Sequence, residues 1–107
     1  MEFKNGQLLR IFLEESDKNN GESLYQWIVA KAAEMNLSGA TVLRGVEGFG
    51  ANKKIHTSNI LTLSLNLPVI IEIVDSKENI EEFIEVINPN IKKGLITIED
   101  IKMRFYG

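Results

Sequence analysis

VIIEIVDSKENIEEFIEVI, residues 69–87, changes its period halfway along. From Val69 to Val74 the chain is a nearly continuous apolar run around Glu72, with Val69, Ile71 and Ile73 on one face and Ile70 and Val74 on the other, the reading of a strand. Past Asp75-Ser76 the spacing alters. Ile80, Phe83, Ile84 and Ile87 recur at i, i+3, i+4 and i+7, the stripe of an amphipathic helix that Asp75 or Ser76 caps and Pro89 stops. A strand running straight into a helix is half of a β-α-β unit, so the flanks decide the fold.

Upstream, Leu61, Leu63, Leu65 and Leu67 alternate with Thr62, Ser64 and Asn66, which extends the strand backwards with a bend near Pro68. Downstream, Gly94 to Phe105 predicts a last strand, with Leu95-Ile96-Thr97-Ile98, then Ile101, Met103 and Phe105 on one face, and Glu99-Asp100 as a bulge between the two pieces. At the other end, Leu8 to Leu13 predicts a first strand. Ser23-Leu24-Tyr25-Gln26 reads as a capping box for a helix from Leu24 to Asn36, with Leu24, Ile28, Ala32 and Met35 at helical spacing. Gly39 restarts the chain and Ala40 to Val46 predicts a second strand. The order β-α-β, loop, β-α-β predicts one α+β domain over residues 1–107, a ferredoxin-like βαββαβ arrangement with two helices on one face of a four-stranded antiparallel sheet. Helices dry one face only, yet Leu8, Phe12, Ile70 and Val74 point to the other. A partner surface is expected there.

Composition narrows the function classes. The 107 residues contain no cysteine, which excludes disulfides, Cys-ligated zinc and a thiol nucleophile and fits a reducing cytoplasm. Met1 to Asn5 has no apolar run behind a basic end, so no secretory signal is expected, and Leu61 to Val74 is too polar and short for a spanning helix. A net charge of −3 argues against nucleic acid as a partner. The charges are also segregated. Residues 44–66 carry Arg44, Lys53 and Lys54 against Glu47, while residues 77–88 carry Glu78, Glu81, Glu82 and Glu85 against one lysine, a pattern that reads as the solvated face of the second helix.

The segment between strands two and three holds Gly45, Gly48 and Gly50, then Lys53, Lys54 and the chain's one histidine, His56. A glycine-rich segment between strands is most often just a flexible connection; the functional alternative is that its amides form an anion-binding nest, with Lys53 or Lys54 adding charge toward a phosphate. The glycines open no helix, so this is neither a Walker nor a dinucleotide-binding loop. A lone histidine lacks co-ligands for a metal. No Ser-His-Asp set is evident, Tyr25 and Trp27 read as packing, and an enzyme is not expected.

Gly39-Ala40-Thr41-Val42, followed by Val46-Glu47-Gly48-Phe49-Gly50-Ala51-Asn52-Lys53 and His56-Thr57, resembles strand two and the T-loop of the PII signal-transduction family. "GATVLRGVEGFG", "LPVIIEIVDS" and "GLITIEDIK" are more similar still to the PII-like family termed domain of unknown function one-ninety. The resemblance implies a homotrimer that buries the free sheet faces and an adenine nucleotide or other small anion held between subunits at the base of a loop spanning about residues 47–60. Matched position by position, it implies ligand contacts from Thr41, Gly48, Gly50, Asn52 and Lys53. Ala51 departs from the family's arginine, one extra residue separates Thr41 from Gly48, the loop has no tyrosine, and of the family's second phosphate loop only Lys92-Lys93-Gly94 stands here. The leading reading is a trimeric regulatory protein that senses a small anionic ligand and signals to a partner. The alternative is a ligand-free accessory module for a membrane transporter or an enzyme. A divalent-metal binder, resting on His56 and scattered carboxylates, is the third.

Overall fold

The computed structural model describes residues 2–50, 54–57 and 66–107. In chain order these form β1 (Lys4–Glu14), β2 (Lys18–Asn19), β3 (Glu22–Ser23), α1 (Leu24–Glu34), β4 (Thr41–Arg44), β5 (Glu47–Gly48), β6 (His56–Thr57), β7 (Pro68–Asp75), α2 (Lys77–Ile87) with a 3₁₀ turn at Asn88–Asn90, and β8 (Leu95–Met103). Four strands make one antiparallel sheet in the order β4-β7-β1-β8, the ferredoxin-like order expected from the sequence.

Strand β1 is the axis of this sheet because it is apolar on both faces. Leu9 and Ile11 stand opposite Ile73 and Ile71 of β7 and opposite Ile98 and Ile96 of β8, and directly opposed residues share a face. That face is dry. Leu9, Ile11, Leu13, Val69, Ile71 and Ile73 pack against Leu24, Ile28 and Ala32 of α1 and Ile80, Phe83 and Ile87 of α2. Each such side chain contributes about 1.5–3 kcal/mol of burial, which is why two short helices suffice to hold the sheet.

Helix α2 begins as its sequence predicts, with the Ser76 hydroxyl accepting a bond from the Asn79 amide at 3.2 Å. Helix α1 does not. Ser23 is its N-cap residue, but its hydroxyl makes no capping bond and is buried without a partner, so the expected capping box is absent. The cause is the hairpin before it. Ser23 pairs with Lys18 across β2 and β3, and the Leu24 amide donates to the Asp17 carbonyl at 2.9 Å instead. Asn20 and Gly21, with φ of 51° and 85°, make the turn of this hairpin. The helix also ends earlier than expected, at Glu34, before Asn36 at φ 59°.

Two strand readings need correction. The bulge at Glu99-Asp100 does not exist: β8 pairs with β1 in unbroken register from Leu95 to Met103. Both acids have partners inside the regular ladder, since Arg10 Nη1 donates to Glu99 at 2.7 Å and Gln7 Nε2 donates to Asp100 at 3.1 Å. Ile101 and Met103 therefore lie opposite Gly6 and Lys4 on the outer face, away from Ile96 and Ile98. Strand β4 is shorter than Ala40 to Val46, ending at Arg44. The alternating leucines from Leu61 to Leu65 lie outside the described residues, and β7 starts at Pro68.

The outer face is striped. Leu43, Ile70, Phe12 and Leu95 run across one end in register, and Val74 and Leu8 across the other. Between them Arg10 donates to Glu72 at 2.9 Å and to Glu99, a charged bar in the middle of an apolar surface.

Candidate functional site

At the end of the sheet where β1 finishes and β7 and β8 begin, the root of the glycine segment folds over the outer face. The result is a cleft of about 560 Å³. Its floor is Phe12, Ile70 and Leu95; its loop wall is Gly45, Glu47, Gly48, Phe49 and Gly50; its far wall is Lys93-Gly94, with Glu14 and Asp17 beside them.

The glycines differ in why they are glycine. A Cβ at Gly45 would lie 2.8 Å from Pro68 Cγ, and one at Gly48 3.2 Å from the same atom, so both are small because the loop root lies against Pro68. Gly45 also donates its amide to the Pro68 carbonyl at 2.7 Å. Gly94 is demanded by backbone shape: φ is +129°, and a Cβ would approach the Phe12 carbonyl to 2.6 Å. Gly50 has nothing within 4 Å of its would-be Cβ. Packing accounts for three of the four.

Beyond Gly45 the chain forms a second small hairpin, with Glu47 opposite Thr57 and Gly48 opposite His56. Val46, Phe49 and Ile55 are exposed on this projection. Its root is tied down by charge. Arg44 donates from Nε to Glu15 at 2.6 Å and from a terminal nitrogen to the Tyr25 hydroxyl at 3.4 Å, and the Glu15 bond holds the guanidinium above its ordinary pKa.

Lys93 is the cation of the far wall. Its Nζ is 3.5 Å from Asp17 Oδ1 and 3.8 Å from Glu14 Oε2. Asp17 is buried and its other oxygen accepts the Glu14 amide at 2.9 Å. Among the described lining residues, three carboxylates accompany one ammonium, and that ammonium is paired.

Of the residues singled out by sequence, Gly48 and Gly50 line the cleft. Thr41 does not. It lies on β4 opposite Glu72, exposed on the outer face of the edge strand. Asn52 and Lys53 fall outside the described residues; Lys54 is exposed, and the backbone of His56 belongs to β6. Among the described residues no three His, Asp or Glu side chains converge on a point that could hold a metal ion. Sequence reasoning missed Phe12, Glu14, Asp17 and Leu95, which reach the cleft from distant parts of the chain. Lys93-Gly94 stands in the sequence as what remains of the family's second phosphate loop, with nothing nearby to mark its acidic partners.

Known proteins resemble this chain in sequence and in fold. The family DUF190, described as "Uncharacterized ACR", matches residues 6–103. A UPF0166 protein of Aquifex aeolicus is 39% identical over 97 residues, covering 91% of both chains, and one of Methanocaldococcus jannaschii is 42% identical over 95 residues, covering 88% of this chain and 87% of the relative. Among solved structures, CPII of Thiomonas intermedia, a nitrogen regulatory PII-like protein bound to ADP, AMP and bicarbonate, superposes with a TM-score of 0.72 at 16% identity, covering 95% of this chain and 91% of that one. The GlnK–ATP complex of B. subtilis gives a TM-score of 0.58 at 16% identity over 91% of this chain and 82% of that one. At such identities the likeness is one of fold: this chain has the PII-like fold.

Proposed function

The chain belongs to the DUF190 family, and from that premise we propose that it is a PII-like regulatory protein which binds a small anionic ligand, an adenine nucleotide first among the candidates, at the base of its loop. The observation that carries the reading is the cleft, where Gly48 and Gly50 of the loop root and Lys93-Gly94 line, with an apolar floor, a volume of about 560 Å³, within the range of small-molecule sites. Gly50, whose small size packing does not explain, is the loop position at which an anion would approach the backbone closely. Nucleotide-bound structures of the same fold support the choice of ligand class. Asn52 and Lys53, which follow Gly50 in sequence, would supply polar and charged contacts, and Thr41 would reach a ligand from the outer face of β4. That last contact requires subunits to meet over the outer sheet face, so the protein acts as a homotrimer, and its ligand state is passed to a partner protein through the projecting hairpin. Among the described residues that line the cleft, none is arranged for catalysis, and the proposed role is binding.

Isothermal titration of ADP and ATP against the purified protein tests this, together with light scattering for the trimer. The Lys53→Ala variant should lose a charge-assisted bond worth about 1.5–3 kcal/mol, roughly 10- to 150-fold in affinity, with folding unchanged. No binding to the wild type, or equal binding by the variant, refutes the assigned site.

One observation favours a second reading. Lys93 already has Glu14 and Asp17 as counter-ions, and the hairpin exposes Val46, Phe49 and Ile55. A ligand-free accessory module that docks this hairpin on a membrane transporter or an enzyme would show the same features, and would bind no nucleotide at all.

A further inference from the structure

We propose that Asn20 is a site of covalent self-modification: the backbone nitrogen of Gly21 converts its side-chain amide to aspartyl and isoaspartyl forms, and the isoaspartyl form opens the β2–β3 hairpin. The inference is independent of the ligand reading above.

An Asn-Gly pair suits this chemistry because glycine puts no side chain in the way of its own nitrogen. The chain has two such pairs, Asn5-Gly6 and Asn20-Gly21, alike in sequence. The fold separates them. Asn5 and Gly6 stand in β1 opposite Lys102 and Ile101 of β8. Lys102 Nζ donates to Asn5 Oδ1 at 2.6 Å, Gly6 is buried, and a Cβ there would lie 2.4 Å from Met103 Sδ. Attack at Asn5 would require the central strand of the sheet to leave its extended form.

Asn20 and Gly21 are instead the two turn residues of a hairpin in which Asn19 opposes Glu22, so the ladder uses neither of their amides. Both are exposed, and nothing lies within 4 Å of a would-be Cβ at Gly21. Only two residue pairs close the hairpin, Lys18 with Ser23 and Asn19 with Glu22, and its tip can open without disturbing the core.

In the reaction the Gly21 nitrogen gives its proton to solvent base and bonds to Asn20 Cγ. The Cγ–Nδ2 bond breaks, and ammonia leaves with a proton from water. Water then opens the five-membered imide at either carbonyl, so the balance is one water in and one ammonia out, with no redox change. Opening at one carbonyl gives aspartate, which tolerates the positive φ of 51° at this position. Opening at the other gives isoaspartate, which routes the main chain through the old Cβ and adds one backbone atom to a two-residue turn. The misfit falls on the two pairs, on the bond from Asn90 Nδ2 to Asn19 Oδ1 at 3.0 Å, and on the bond from the Leu24 amide to the Asp17 carbonyl at the start of α1.

Folded wild-type protein is held at mildly alkaline pH and cut with trypsin, which places the two pairs on separate peptides, residues 5–10 and 19–31. Mass spectrometry should find the exchange of ammonia for water at residue 20 roughly ten-fold or more above that at residue 5, since only the second must break a ladder first. An isoaspartyl methyltransferase should label the peptide of residue 20. In urea the two pairs should react alike. Asn20→Asp, which carries the charge of the modified protein, should melt with wild type, and the isoaspartate-rich fraction of modified protein should melt below both. Equal exchange at residues 5 and 20 in the folded protein, or none at residue 20 while the chain in urea reacts, overturns the site. An isoaspartate-rich fraction that melts with Asn20→Asp overturns the opening of the hairpin.

Discussion

Replacing Asp75 with alanine should cost about 2–3 kcal/mol at neutral pH. Asp75 ends β7 and is buried, and its carboxylate accepts the Ser38 amide at 2.8 Å, the Ser76 amide at 2.7 Å and the Asn79 side-chain amide at 2.9 Å. It thereby fastens the connection after α1 to the start of α2. Three charge-assisted bonds at about 1.5–3 kcal/mol each would total far more. Ser38 and Asn79 are exposed, however, so water replaces part of what is lost, and the smaller figure follows. Against about 5–15 kcal/mol for a domain of this size, the loss is readily measured by urea denaturation. The pH dependence is the sharper test. Burial pushes the Asp75 pKa up, but the bonds from Asn79, Ser38 and Ser76 together outweigh it, and the folded-state pKa lies below the ordinary value. A depressed carboxylate contributes stability that is complete above its unfolded pKa of about 3.9 and is lost as pH falls through the folded value. The gap between wild type and Asp75→Ala should therefore be constant from pH 7 to about 5 and narrow below about 4. A gap under about 0.5 kcal/mol at pH 7, or one that widens on acidification, refutes the reasoning.

Other substitutions separate roles that the sequence alone leaves alike. Gly94→Ala should destabilise by about 2–4 kcal/mol, from an unfavourable φ plus the clash with the Phe12 carbonyl, while Gly39→Ala, with nothing within 4 Å, should lie within about 0.5 kcal/mol of wild type; paired urea titrations compare them. Ser76→Ala should cost about 1 kcal/mol because its hydroxyl caps α2, whereas Ser23→Ala should cost nothing or stabilise slightly, since that hydroxyl is buried without a bond; thermal melts resolve the two. Arg10→Ala leaves Glu72 and Glu99, on the strands either side of β1, without their shared counter-ion on the outer sheet face, so it should move a trimer toward monomer at a given concentration, read by light scattering. An unchanged mass at micromolar protein would mean that this face is not where subunits meet.

The parts of the fold legible in the sequence are those whose evidence is local. Helix α2 declares itself through Ser76, the Ile80 to Ile87 stripe and Pro89 within one short window, and β1 and β7 through apolar runs broken only by Arg10 and Glu72. The Asn20-Gly21 turn is equally local, but its flanking strands are two residues each and carry no alternation that would mark them. The spurious bulge has a different origin. Glu99 and Asp100 look like an interruption until the bonds they accept from Arg10 and Gln7 of β1, more than 80 positions away, are seen. The cleft was half legible for the same reason. Gly48 and Gly50 advertise themselves, but the acids that neutralise Lys93 lie at residues 14 and 17, and no spacing rule joins them to residue 93.

Strand β1 sits at the centre of the sheet, and this sets the order in which the chain can mature. Lys4 pairs with Met103 and Phe12 with Leu95, so one side of the first strand made waits for the last. Such pairing closes nearly the longest loop the chain allows, and domains dominated by distant contacts fold in milliseconds to seconds rather than microseconds. On the ribosome, at about 5–20 residues per second, β1 is exposed for seconds with both edges open and its apolar faces uncovered. A chain interrupted before residue 95 keeps one of those edges unpaired. Nascent or truncated forms of this protein should therefore depend on chaperones far more than the finished domain does, and a circular permutant that joins β8 directly to β1 should fold faster than the natural order.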